Sequence, residues 1–224
     1  MPRNSDWHTH LKPILCYVTD RRAFPGEAEA RLLKKIAAAT HAGVDWVQLR
    51  EKDLPGRALS RIARAAVEAA GPGSRIFIND RLDVALAAGA AGVHLGGESL
   101  PVQEVASWPA IKLGGTAPAG FLIGRSCHST TEAIAAERDG ADYIFFGPVF
   151  STPSKQSYGP AQGTGLLAEV CRAVEVPVLA IGGLTLDNAA ECLAAGAAGI
   201  AAIRLFQDAE DVSDVVSALR ALRS

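Results

Sequence analysis

Cations follow short apolar runs at several places in the sequence, where they could bind phosphate groups. Arg50 and Lys52 follow the run WVQL, and Lys155 lies in a polar segment after YIFFGPVF. These cations are more than one monophosphate requires, and together they predict a diphosphate ligand. Arg204 is a lone cation near the end of the run GIAAIRLF. Because a guanidinium matches two phosphate oxygens, Arg204 is a candidate ligand for a second phosphate, and a surface ion pair with a nearby aspartate is the alternative.

Carboxylates after two of the apolar runs could hold a metal ion. Asp80 follows RIFIN, and Glu98 follows GVHLGG. Mg²⁺ binds a few carboxylates together with water and substrate phosphate oxygens, so this pair predicts a magnesium site. The alternative for Asp80 is the N-cap of a following helix, beside Asn79.

A histidine, a glycine pair and a polar loop add further candidates. His128 follows FLIGRSC and could transfer a proton near neutral pH, or it could precede a helix with no chemical role. Gly182 and Gly183 would let backbone N–H groups approach an anion closely. The segment at residues 151–163, STPSKQSYGPAQG, has the length and composition of a lid that excludes water from a bound ligand.

Eight apolar runs rich in Val, Ile and Phe must position these residues. They alternate with Ala-rich stretches of helical spacing and occupy residues 14–20, 46–51, 75–80, 92–96, 121–128, 143–150, 176–183 and 199–206. Runs that are apolar throughout are typical of parallel strands covered on both faces. We therefore predict an α/β fold, a single (β/α)8 TIM barrel, with the polar residues at the carboxyl ends of its strands. A doubly wound open sheet is the alternative, but no G-x-G-x-x-G motif follows the first run.

Length and composition exclude several classes of function. The 224 residues carry a net charge of −2 without a basic cluster, which makes nucleic acid a poor partner. No apolar run approaches the roughly 20 residues that span a bilayer, and no signal-peptide core is present, so a cytoplasmic protein is expected. The four widely separated cysteines are expected to be buried thiols. We expect one domain over residues 1–224, with residues 1–13 as an N-terminal extension.

Five motifs resemble those of one enzyme family. They are QLREK at 48–52, NDRLDVALAAGAAGVHLG at 79–96, GRSCHS at 124–129, GPVFSTPSK at 147–155 and PVLAIGGLTLDN at 177–188. In this order and spacing they resemble the thiamine phosphate synthase and thiazole tautomerase (TenI-like) superfamily, over residues 16–206.

Resemblance to the synthase branch implies an enzyme that joins hydroxymethylpyrimidine diphosphate to thiazole phosphate, with Mg²⁺ as cofactor. It implies that the pyrimidine ionises first and that the thiazole nitrogen captures the resulting carbocation. The pyrimidine and its diphosphate would be held by Gln48, Arg50, Lys52, Asn79 and Lys155. The thiazole phosphate would be held by Thr152, Ser154, Gly183 and the region of Ile203. Asp80 would bind Mg²⁺, and Ser126 would lie near the reacting centre. Small phosphorylated substrates are thus the expected partners, and the resemblance makes a homodimer an expectation as well.

Two positions depart from the synthase pattern. The second metal-binding aspartate of the family corresponds to Ser99 here, and a serine that usually follows the eighth strand corresponds to Arg204. The segment GRSCHS is closer to the tautomerase branch, which needs no Mg²⁺ and in which the histidine matching His128 is a proposed acid and base. We therefore expect a synthase with Lys155, Ser126 and His128 as candidate catalytic residues. A thiazole tautomerase and a noncatalytic thiazole phosphate binder are the alternatives.

Overall fold

Eight parallel strands form a closed barrel in the computed structural model, which describes residues 12–112, 117–151 and 160–222. Each strand pairs with the next along the chain, and β1 pairs with β8. The strands are β1 (Ile14–Val18), β2 (Trp46–Leu49), β3 (Arg75–Asn79), β4 (Gly92–Leu95), β5 (Leu122–Cys127), β6 (Tyr143–Phe146), β7 (Val178–Ile181) and β8 (Gly199–Ala202). This closure confirms the predicted TIM barrel and excludes the open sheet.

Helices follow the strands and surround the barrel. A 3-10 turn (Arg21–Ala23) precedes the first of them. The helices are α1 (Ala28–His41), α2 (Gly56–Ala69), α3 (Leu82–Ala88), α4 (Val102–Ala106), α5 (Pro109–Lys112), α6 (Thr130–Arg138), α7 (Gly163–Ala173), α8 (Ala189–Ala194), α9 (Arg204–Gln207) and α10 (Val212–Ala221).

The helices bury one face each, as their sequence periodicity predicts. In α2 the buried residues are Leu59, Ile62, Ala63 and Ala66, which recur at the spacing of one helical face. The Ser129 side chain accepts a hydrogen bond from the backbone N–H of Glu132 and so caps the start of α6. The outward side chains of the strands pack under these helices, and every residue of β1, β2, β4, β6 and β8 is buried.

Aromatic side chains fill the interior of the barrel. Trp46 lies 4.8 Å from Tyr143 and 5.0 Å from Phe77 between ring centroids. Gly124 makes room for this cluster, because a Cβ at that position would lie 2.1 Å from the ring carbon Cζ of Tyr143. The interior is therefore a packed core, and a binding site must lie above it, at the strand ends.

The eighth strand is shorter than the sequence predicts. The prediction of a strand over residues 199–206 is wrong at its end, since β8 stops at Ala202 and α9 begins at Arg204. The helical turn buries Phe206 and Gln207, and the Phe206 ring packs 6.2 Å from the Tyr17 ring. An apolar run alone does not distinguish a strand from a strand followed by a buried turn.

The cysteines are all free thiols, and three of the four are buried. Burial raises the pKa of Cys127 to about 12 and that of Cys171 to about 11. Such thiols stay protonated near neutral pH. The prediction of buried thiols is confirmed for Cys16, Cys127 and Cys192, whereas Cys171 is only partly buried. No helix within the described ranges is long and apolar enough to cross a membrane.

Candidate active site

Two hydrogen bonds and an ion pair join four predicted site residues at the ends of β2 and β3. The Gln48 side chain donates from Nε2 to Oδ1 of Asn79 at 2.8 Å, and Asn79 donates from Nδ2 to Oδ2 of Asp80 at 2.5 Å. The Lys52 ammonium lies 3.7 Å from the same Asp80 oxygen. Gln48 and Asn79 are buried, while Lys52 and Asp80 reach the surface. The fold therefore places two buried polar side chains, Gln48 and Asn79, beneath a charged rim formed by Lys52 and Asp80.

Asp80 is held in an unusual backbone conformation that aims its carboxylate at the next loop. Its φ is +62°, a left-handed conformation that aspartate tolerates better than most residues. Its Oδ1 accepts hydrogen bonds from the Ser99 hydroxyl and, at 3.1 Å, from the backbone N–H of Gly96. Burial alone would raise the pKa of Asp80, but the donors Ser99 and Gly96 and the charge of Lys52 lower that pKa below its ordinary value. The N-cap position of α3 is Arg81, so the N-cap alternative for Asp80 is wrong.

Ser99 occupies the position beside Asp80 where the family pattern suggested a second carboxylate. Its hydroxyl accepts from the Gly96 N–H at 2.6 Å and donates to Asp80. Glu98, the other predicted metal ligand, is exposed in the same loop. Within the described part of the chain, no group of three or more His, Cys, Asp or Glu residues is placed to hold a metal ion.

A cavity of about 520 Å³ opens beside Lys52, at the ends of β1 and β2. It is lined by Asp20, Arg22, Ala23, Arg50, Glu51, Lys52 and Asp53. The backbone N–H of Arg50 donates to the Thr19 hydroxyl at 2.9 Å. Among the residues that the structure describes, none forms an ion pair with the Arg50 guanidinium. Its charge is available to an anion in the cavity.

Ser126 is held by a buried histidine on the neighbouring strand. His94 lies 2.9 Å from the Ser126 hydroxyl through Nε2 and 3.2 Å from the Tyr143 hydroxyl through Nδ1. The His94 ring also packs on Phe145, with 4.2 Å between centroids. His94 is thus packed in the barrel, as its sequence neighbours suggest, but it also orients a candidate catalytic residue.

His128 lies at the start of α6 and contacts the next strand end. Its Nδ1 is hydrogen bonded to the carbonyl oxygen of Gly147, and its backbone N–H donates to the Glu132 carboxylate at 2.7 Å. It directly precedes Ser129, the N-cap of the helix. The location next to a helix start agrees with the structural alternative, and the chemical role of the half-buried His128 stays a prediction.

Gly182 and Gly183 form a turn after β7 that only glycine fits. Their φ values are +99° and +66°. A Cβ at Gly182 would lie 2.6 Å from Cα of Pro148, and one at Gly183 would lie 2.6 Å from the carbonyl oxygen of Ser151. Neither N–H donates to an acceptor in the described ranges, which leaves both for an anion.

Arg204 is exposed at the first position of α9, and Ile203 before it packs partly against the barrel interior. The prediction that Arg204 ends the eighth strand is corrected by this position. No ion pair joins Arg204 to Asp208 or Asp211, which are both described. The surface ion pair that was its alternative is therefore not seen.

Three further candidates, Thr152, Ser154 and Lys155, lie outside the described residues, as does most of the predicted lid at 151–163. The described chain stops at Ser151 beside Gly183 and resumes at Pro160.

Comparisons with known proteins identify the family of this chain. A family model described as thiamine monophosphate synthase (TMP-TENI) matches residues 15–206. The chain belongs to this family. A putative thiamine-phosphate synthase from Geobacter sulfurreducens is 47% identical, over 82% of this chain and 81% of its own length. A thiamine-phosphate synthase from Methanoculleus marisnigri is 45% identical, over 82% of each chain. The solved thiamine phosphate pyrophosphorylase from Pyrococcus furiosus is 33% identical, with a TM-score of 0.79 over 98% of this chain and 96% of that one.

Membership of the thiamine monophosphate synthase family confirms the predicted resemblance. The prediction of a synthase-like transferase is confirmed by the same relatives, and it takes precedence over the tautomerase and binder alternatives.

Three buried polar residues next to the family's motifs were assigned no role in the site from the sequence. Thr19 and Glu51 are hydrogen bonded to each other at 2.6 Å, and His94 holds Ser126. Glu51 had a signal, because it lies between two cations at the end of a buried strand. Thr19 and His94 gave none beyond their position, since each partner lies more than 30 residues away in the chain.

Proposed function

We propose that this chain is a thiamine-phosphate synthase that joins hydroxymethylpyrimidine diphosphate to thiazole phosphate, giving thiamine phosphate and diphosphate. The observation that carries the proposal is the row of hydrogen bonds from Gln48 through Asn79 to Asp80, which forms an ion pair with Lys52. Arg50 lies in the adjacent cavity, and none of the described carboxylates pairs with its guanidinium. At one end of this hydrogen-bonded row, the polar side chains of Gln48 and Asn79 are buried, which suits a heterocycle. The other end is cationic, which suits a diphosphate.

The reaction needs stabilisation of negative charge more than it needs a base. As the bond between the pyrimidine methylene carbon and the diphosphate oxygen breaks, its electron pair leaves with the diphosphate. Arg50 and Lys52 at the cavity, together with Lys155, would stabilise the developing charge. The thiazole nitrogen then captures the carbocation. Ser126, oriented by His94, would lie near the reacting carbon.

The donors around Asp80 fit a magnesium ion bound with few protein ligands. The lowered pKa of Asp80 keeps its carboxylate ionised at neutral pH, and Mg²⁺ is commonly bound by one or two carboxylates together with phosphate oxygens and water. Asp80 would hold the ion, and Glu98 from the same rim would supply a second carboxylate. When bound, Mg²⁺ would neutralise charge on the departing diphosphate.

The opposite side of the barrel mouth would bind the thiazole phosphate. The N–H groups of Gly182 and Gly183, which donate to no acceptor among the described residues, support this role, together with the position of Arg204 after β8. Thr152 and Ser154 would contribute from the loop that starts beside Gly183. His128 would lie between the two substrates.

The test of this function is formation of thiamine phosphate from the two substrates, with and without Mg²⁺. We expect product that depends on Mg²⁺ and on both substrates, followed by the fluorescence of oxidised product. Absence of product with both substrates intact would overturn the synthase proposal.

Arg204→Ala is expected to weaken the binding of thiazole phosphate by about 1.5–3 kcal/mol, the size of a hydrogen bond to a charged group. Calorimetry with thiazole phosphate alone measures this change. Arg204→Lys keeps the positive charge but not the guanidinium that can bind two phosphate oxygens at once, so it should lose less binding energy than Arg204→Ala. Arg64→Ala, on the exposed side of α2, is the control. Unchanged affinity in Arg204→Ala would show that the guanidinium does not bind the phosphate.

The remaining expectations concern the cellular setting. Small phosphorylated precursors are the proposed partners. Cytoplasmic location, a homodimer, and a single domain over residues 1–224 with an extension at 1–13 stay predictions from the sequence.

A further inference from the structure

A buried carboxylate lies directly beneath the proposed diphosphate cavity. Glu51 is 3% exposed and lies in the sequence between Arg50 and Lys52. Burial raises its pKa, although hydrogen bonds from Thr19 and Arg21 oppose that rise. Burying a carboxylate is costly unless its oxygens are fully engaged. An anion at the edge of a diphosphate site also repels the ligand, so contact with substrate does not explain this residue.

The Glu51 oxygens hold the loop that follows β1. Both accept the backbone N–H of Arg21, each at 3.1 Å, and the Arg21 side chain lies 3.9 Å away through Nε. The Arg21 guanidinium also donates to Asp53 at 2.6 Å. The loop after β1 is therefore tied to the turn after β2 at two points.

Thr19 transmits this attachment to the backbone of Arg50. The Thr19 side chain is fully buried, its hydroxyl donates to Glu51 at 2.6 Å, and it accepts from the Arg50 N–H at 2.9 Å. An N–H can only donate, so the Thr19 proton must point at Glu51. The carboxylate thus fixes the orientation of the hydroxyl that holds Arg50.

The far side of the loop is anchored independently. The Gln207 side chain accepts from the Tyr17 hydroxyl at 2.9 Å and from the Asp20 N–H at 3.1 Å, and it donates to the Asp20 carbonyl at 2.8 Å. Asp20 and the residues around it are therefore fixed to α9. Against this fixed loop, the Thr19–Glu51 pair sets the position of the turn after β2.

We propose that Glu51 is a positioning residue for the diphosphate site, acting through Thr19 on the backbone that carries Arg50 and Lys52. This inference rests on the proposed function, since it assumes that these two cations bind the diphosphate. Without the pair, the turn would still fold, but its cations would no longer converge on the cavity. The expected defect is selective for the diphosphate and spares the thiazole phosphate.

Two variants remove the contact with little change of shape. Thr19→Val removes the hydroxyl, and Glu51→Met removes both acceptor oxygens from a side chain of similar length. Each should weaken binding of inorganic diphosphate about tenfold, the scale of one hydrogen bond to a charged group. The double variant should lose little more than either single one, because both break the same connection. Thr19→Ser retains the hydroxyl and should therefore bind inorganic diphosphate with wild-type affinity.

Thr40→Val is the matched control. Thr40 is also a buried threonine that links two segments: it accepts from the Gly71 N–H at 2.9 Å and donates to the Ile36 carbonyl at 2.9 Å. Its loss should lower thermal stability without changing diphosphate affinity. The comparison separates positioning of the site from general support of the fold.

The measurements are calorimetry with inorganic diphosphate and with thiazole phosphate, and KM for each substrate in the synthase assay. We expect a higher Kd and KM on the diphosphate side alone, in variants whose circular dichroism is unchanged. Equal weakening of both ligands, or unchanged diphosphate affinity in folded variants, would overturn the proposal, as would a wild type that does not bind diphosphate. A failure of the proposed function would instead show as diphosphate binding without thiamine phosphate formation.

Discussion

Lys155→Ala is expected to lower the rate of thiamine phosphate formation by about ten- to a thousandfold, the range for losing one donor that stabilises transition-state charge. Lys155 belongs to the cation set that the sequence assigns to the diphosphate. The described chain before it, ending at Ser151, lies against Gly183 at the barrel mouth. A single-turnover measurement isolates the chemical step, and the loss should appear in kcat more than in KM, because charge builds up as the diphosphate leaves.

Lys34→Ala is the control for this experiment, since Lys34 is exposed on α1. It removes the same charge and should keep the wild-type rate. A wild-type rate in Lys155→Ala would contradict the assignment of this lysine. A loss confined to KM would restrict Lys155 to binding of the ground state.

Asp80→Asn is expected to lower turnover by about a hundredfold or more and to remove the response to Mg²⁺, since a bound metal supplies several kcal/mol of charge stabilisation. Asparagine tolerates the left-handed backbone at this position and can still accept from Ser99 and Gly96. The substitution removes the charge and the Oδ2 acceptor of Asn79, and it keeps the Oδ1 acceptor that holds the turn. Titration of Mn²⁺ followed by electron paramagnetic resonance reports metal binding without depending on activity.

Asp83→Asn is the matched control for Asp80. Asp83 is more exposed, pairs with Arg81 at 2.6 Å and lies three residues along the same segment. It should retain both turnover and Mn²⁺ affinity. Retained metal binding in Asp80→Asn would show that the ion is held elsewhere, and the proposed ligand set would then be wrong.

The barrel could be predicted because its signals are local. Each strand of this fold is a short apolar run, and each helix shows its own spacing of buried residues, as in α2. The failure at β8 has the same origin, since the apolar residues of α9 continue the run without a polar break. The strand ends were therefore predicted to within a few residues, and the closure of β1 on β8 followed from counting eight units.

The candidate site could be predicted in its members but not in its connections. Lys52 and Asp80 were predicted because polar residues stand out after buried strands, and Gln48 and Asn79 because of the family resemblance. The structure joins Gln48, Asn79 and Asp80 by hydrogen bonds and pairs Lys52 with Asp80. The sequence also flagged Ser99 as a departure. Only the structure shows that the Ser99 hydroxyl binds Asp80, which explains how the loop stays in place without a second aspartate.

The sequence by itself determined the family, the fold and the residue types proposed to face the substrates. The tertiary structure decided which hydrogen-bond partners hold these residues in position. Glu51 contacts Thr19 and Arg21 across about 30 positions of sequence, and His94 reaches Ser126 across a similar distance. The cause is physical: residue type and spacing record local conformation, whereas the partner of a buried polar group depends on which strands the closed barrel places side by side.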